Sequence, residues 1–176
     1  MESSALVYIG LTVATILLAL FVRNETYVPR AIRGGRLFGE MPGCDRQKAR
    51  NRVAEFAIFC LLTGVSACRI AVGNDYWVYT QNFSLISQER HVSSEIGFNA
   101  IVSFFQLFFE EGKAQYLSIF AFFSVTTVFF FVKALCDQGS NFAFSLFLLL
   151  TGGYYFNSLN SVRYYFALAL SLYAMK

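Results

Sequence analysis

The chain has 176 residues, 56% of them hydrophobic and only 14% charged, with 21 Phe. A water-soluble domain carries roughly a quarter charged residues, so this composition excludes one; it also excludes disorder, collagen, a coiled coil and a disulfide-stapled mini-protein. The net charge of +3 is concentrated in one segment, and what remains is an all-α integral membrane protein, a multi-pass transmembrane helix bundle.

Hydrocarbon thickness requires about 20 mainly apolar residues per helical span. Ser3 to Val22 contains no Asp, Glu, Lys or Arg and predicts a first span over about 5–22. It follows Met-Glu-Ser-Ser, with no basic region and no A-x-A cleavage site before Arg23, so it reads as an uncleaved helix. Arg23 to Arg52 then holds eight of the fourteen Lys and Arg (Arg23, Arg30, Arg33, Arg36, Arg46, Lys48, Arg50, Arg52) against Glu25, Glu40 and Asp45. Such a stretch can bind nucleic acid or anionic lipid, but its default meaning is topological. It makes 23–52 a cytoplasmic loop, puts the N-terminus outside and calls for no nucleic-acid partner.

A second span is predicted over about 53–72, with Glu55 and Arg69 near its ends. Residues 73–113 are then external. Asp75 lies just beyond the span and precedes Tyr76, Tyr79 and Phe83 at helical spacing, which makes it an N-cap candidate. A carboxylate at a membrane boundary can also act as a general base. Tyr76, Trp77 and Tyr79 fit an interfacial aromatic belt or a surface on which sugars stack. Glu95 opens the next apolar stretch, where Ser93 or Ser94 can cap a helix. Ile96 to Phe109 would reach only about 21 Å as a helix, short of the ~30 Å core. Its polar residues Asn99, Ser103, Gln106 and Glu110 share one face, predicting an amphipathic helix lying along the external interface; a short span facing a cavity is the competing reading.

Two further spans follow, over about 114–135 and 142–159, and another starts at 164–176. The last run is too short to cross, about 18 Å, which suggests the front part of a longer protein. If 96–109 does not cross, Asn157 to Arg163 emerges on the same side as Arg69 and Asp75. Arg163, flanked by Asn157, Ser158, Asn160 and Ser161, can clamp a phosphate or diphosphate through its planar fork, or anchor the helix by snorkelling. Cys44, Cys60, Cys68 and Cys136 show no metal-ligand spacing, and His91 is the single histidine. No metal site is assigned, although a divalent cation remains compatible with the sequence.

The segments VGNDYWVY, SSEIGFNAIVS and NSLNSVRYYFALAL, in this order, resemble the EpsG family of exopolysaccharide proteins. These resemble Wzy-type polymerases and are grouped with the C-type membrane glycosyltransferases. The family's G-x-D-Y-x-x-Y pattern falls on Gly73, Asp75, Tyr76 and Tyr79. Its E-P-G-F pattern falls on Glu95, Gly97 and Phe98, with Ile96 in place of proline. Its N-x-x-R-Q-x-x-A pattern falls on Asn160, Arg163 and Ala167, with Tyr164 in place of glutamine. The resemblance covers about residues 53 to 176, and family members are about twice as long as this chain.

It implies a glycosyltransferase or polymerase of exopolysaccharide or capsule biosynthesis in the cytoplasmic membrane, using polyprenyl-diphosphate-linked oligosaccharides beside membrane lipid and other polysaccharide-assembly membrane proteins. Asp75 would be the catalytic base and Glu95 its support. Arg69, Tyr76, Tyr79, Asn160 and Arg163 would bind substrate. The alternatives are a flippase-like transport component, with Arg69 and Arg163 lining the path of an anionic lipid, and a non-catalytic fragment.

Overall fold

The computed structural model describes residues 2–22, 42–68, 75–88, 96–110, 112–136 and 141–175. These residues form helices joined by turns, with no strand among them. In chain order they are α1 (Glu2–Ala19), α2 (Pro42–Ala67), α3 (Tyr76–Ser87), α4 (Ile96–Gln106), α5 (Lys113–Cys136), α6 (Phe142–Thr151), α7 (Tyr154–Ser158) and α8 (Val162–Ala174). Among the described residues one helix, α5, is long and apolar enough to cross a membrane; Leu6–Ala19, α4 and α6 are apolar but shorter.

The outward faces are as apolar as the inward ones. In α1 the buried stripe is Leu11, Thr15 and Ala19, four residues apart, while Leu6, Val7, Val13 and Leu17 lie exposed on the other side. A helix apolar all round needs an apolar surround on every face. Several serine and threonine hydroxyls of these helices turn back on their own backbones, as Thr15 Oγ1, Thr126 Oγ1 and Ser171 Oγ do to the carbonyls four residues earlier at 2.7–2.8 Å, which removes polar groups from the outer faces.

α5 is the axis. Ser124 Oγ donates to the Ser66 carbonyl at 3.4 Å and Phe129 meets Phe59 edge-on at 6.3 Å. Rising numbers on α5 therefore meet falling numbers on α2, and the two helices are antiparallel. On another side Phe123 meets Phe166 at 5.6 Å and Phe130 meets Tyr173 at 5.4 Å, so α8 runs parallel to α5. Around α5's first half, α3 and α4 join through Tyr76 stacked on Phe120 at 5.0 Å and Phe98 stacked on Phe123 at 5.4 Å.

Three expectations change in detail. The basic loop ends earlier than residue 52, because α2 begins at Pro42. Proline suits a first helical turn, and Gln47 bridges forward to Asn51 at 2.8 Å and accepts from Arg50 at 2.7 Å, so this polar stretch supports its own helix.

The stretch read as one span over 142–159 is two helices, α6 and α7, broken at Gly152–Gly153. Gly153 has φ 78°, and a Cβ on Gly152 would lie 2.6 Å from the Leu148 carbonyl oxygen, so the bend needs both glycines.

The polar face of 96–109 does not simply face out. Gln106 turns in to donate to the Phe83 carbonyl at 2.8 Å, while Phe104, Leu107 and Phe108 are exposed.

Candidate functional site

The site forms where α3, α4 and α8 meet against α5. Asp75 occupies the N-cap position of α3, and its backbone carbonyl accepts from the Tyr79 N–H at 3.0 Å. Its carboxylate makes no capping hydrogen bond. Oδ2 instead accepts from Ser161 Oγ at 3.4 Å, across 86 residues of sequence. Ser161 is the N-cap residue of α8 and likewise makes no side-chain cap. The two residues thus spend their side chains on each other, and the carboxylate lies beside a helix start, where the dipole favours negative charge.

The turn that brings Ser161 there is tight. The Asn157 carbonyl accepts from the N–H groups of Asn160 and Ser161 at 2.9 and 3.1 Å, and Asn160 accepts from Val162 at 3.2 Å. Arg163, two residues on, is half-buried. Its guanidinium carbon lies 5.6 Å from the Tyr79 ring centroid and 5.2 Å from that of Phe98. The rings themselves are 5.8 Å apart and tilted by 49°. Guanidinium and rings make a nearly equilateral triangle, within the range of cation–π attraction.

Asp75, Tyr76, Tyr79, Asn160 and Arg163 are therefore gathered in one region. Tyr76 stacks on Phe120 and is half-buried, and Tyr79 is buried at 6% exposure, whereas Trp77 is 65% exposed. Arg69, Glu95, His91, Ser93 and Ser94 lie outside the described residues. Among the described residues no group of three or more His, Cys, Asp or Glu comes together as a metal cluster.

Two contributors were not singled out by the sequence as site residues. Ser161 had only its place beside Asn160 and Arg163 to mark it. Phe98 had its position in the Glu-Ile-Gly-Phe stretch, which carries no hint of a guanidinium partner.

Fold and site together define an apolar protein, all-helical among the described residues, with one helix long and apolar enough to cross a membrane and a set of polar groups meeting at the start of its last described helix. The chain belongs to the EpsG family, whose model matches residues 53–176, the part that contains all of this site. At family level this links it to exopolysaccharide polymerisation. No curated protein and no solved structure matches it.

Proposed function

We propose that the chain is a multi-pass membrane glycosyltransferase, a polysaccharide polymerase of exopolysaccharide or capsule biosynthesis, acting on polyprenyl-diphosphate-linked oligosaccharides at the outer face of the cytoplasmic membrane. One observation carries this reading: the Ser161–Asp75 hydrogen bond joins the first and third motif segments. Arg163, resting on Tyr79 and Phe98, adds the second.

In the reaction an acceptor sugar hydroxyl attacks the anomeric carbon of the lipid-linked donor, and Asp75 takes its proton. The bond from that carbon to the diphosphate oxygen breaks, and its electron pair leaves with the diphosphate. Arg163 pairs its planar fork with the leaving oxygens and offsets their growing charge, where the amide end of α8 adds a favourable dipole. Arg69 assists Arg163, Glu95 supports Asp75, and exposed Trp77 offers a face for a sugar ring.

The depth of the site suits a lipid-linked donor. Phe166 packs between Phe123 and Phe130, and Val162 lies about one turn before it, so α8 starts about level with Ile119. That is roughly 9 Å along α5 from its first residue. A diphosphate can enter such a site while its prenyl chain stays in the bilayer.

The test is Asp75→Asn, made in the protein as cells express it, with polymer yield and chain length measured at matched protein level. Loss of the proton acceptor should lower polymer formation by about a hundredfold or more. Unchanged polymer would reject the role given to Asp75.

A further inference from the structure

We infer that Tyr79 and Phe98 are positioning residues: their rings form a seat that fixes the Arg163 guanidinium for an anionic ligand. The ligand, a diphosphate, rests on the function proposed above. The seat rests on geometry alone.

Both rings are buried, at 6% and 5% exposure, so neither offers a free face to a sugar. Each is also held from behind. Phe83 stacks on Tyr79 at 6.5 Å and on Phe98 at 6.0 Å, Phe120 meets Tyr79 edge-on at 6.0 Å, and Phe123 stacks on Phe98 at 5.4 Å. Rings packed in this way cannot turn without moving α3, α4 and α5 together. The guanidinium above them inherits that rigidity. An arginine side chain has several rotatable bonds, and the ordering cost of holding it still is met on folding, before the ligand arrives.

The chemistry of the seat matters as much as its shape. A ring face attracts a cation through its quadrupole and leaves the cation's charge in place, whereas a carboxylate partner would cancel it. A guanidinium held on ring faces keeps the planar N–H fork that pairs with phosphate oxygens at two points. Tyr79 and Phe98 come from different helices, so the seat exists only when α3 and α4 are both docked on α5.

The test separates ring electronics from ring shape. Phenylalanines carrying one, two and three fluorines are placed at position 98 in the membrane-embedded chain. Fluorine drains the ring face while nearly keeping its shape. Two quantities are measured: the rate at which phenylglyoxal modifies Arg163, followed by peptide mass spectrometry, and the affinity for farnesyl diphosphate. The modification rate should climb with each fluorine, and affinity should fall stepwise to about a tenth. Tyr79→Phe, which keeps the ring face, should stay within about twofold of the unsubstituted chain in both, and Tyr79→Leu should behave like the trifluoro ring.

A modification rate indifferent to fluorination would overturn the seat, whatever the chain binds. Farnesyl diphosphate that fails to bind the unsubstituted chain would overturn the diphosphate role, with the seat judged by the modification rates alone. If the unsubstituted chain binds and the fluorine series is flat in both measurements, the proposed function stands and the seat falls.

Discussion

The Tyr155 hydroxyl donates to the Leu62 carbonyl at 2.8 Å, and the side chain is 1% exposed. That carbonyl lies inside α2, so the bond ties α7 to α2 through an acceptor that α2's own ladder also uses. Tyr155→Phe removes the donor without opening a large void. It should lower stability by about 1 kcal/mol, read as a drop in the detergent melting temperature. Arg163 is a sharper case, because its role depends on a plane. Lysine keeps the charge but loses the planar fork and the fit to two ring faces. Arg163→Lys should weaken farnesyl diphosphate binding by about tenfold while leaving the fold intact, since the side chain is half-buried at the edge of the aromatic cluster; equal binding would remove the bidentate role.

At the scale of elements the break between α6 and α7 is the most consequential feature. No Asp, Glu, Lys or Arg interrupts Phe142 to Leu159, and the length of that stretch fits one span. Gly153 at φ 78° ends that continuity, and Asn157 N–H then bonds to the Gly153 carbonyl at 2.8 Å to start α7. α7 in turn leads into the Asn157–Ser161 turn that presents Ser161 to Asp75. Gly153→Ala forces an L side chain into left-handed backbone, 3.3 Å from the Asn157 side-chain nitrogen. The expected cost is about 1–2 kcal/mol of stability. Because the bend sets the position of the α8 start, polymer formation should fall by more than the loss of folded protein explains.

Across the whole molecule, helix direction separates the charges. α2 is antiparallel to α5, so the basic first half of α2, with Arg46, Arg50 and Arg52, lies toward the α5 end that carries Lys133. Asp75, Ser161 and Arg163 lie toward the other. With the native cysteines replaced, Ser87→Cys on α3 should react with an impermeant maleimide added outside intact cells. Arg50→Cys should react only after permeabilisation, as the positive-inside rule requires. Both positions are exposed in the fold, so a shortage of label will not come from burial. Labelling of both from the same side would refute the layout and the outward-facing site with it.

The membrane class and the helical segments were readable from one dimension. Transfer of apolar residues into lipid is close to additive along a segment, and charge counts sum in the same way, so windows over α1, α5 and α6 reveal them. Asp75 and Arg163 could likewise be picked out, because ionisable groups stand out against apolar neighbours and because their motifs resemble a family's. The partners could not. Ser161 binds Asp75 across 86 residues, and Phe98 reaches Arg163 only after α4 has docked on Phe123. Those meetings depend on helix pairing, the Gly152–Gly153 bend and side-chain rotamers, none of which adds up along a sequence window. For the same reason the carboxylate expected to cap α3 is found bonded to α8: a local cap competes with a long-range donor, and only packing brings the two into competition.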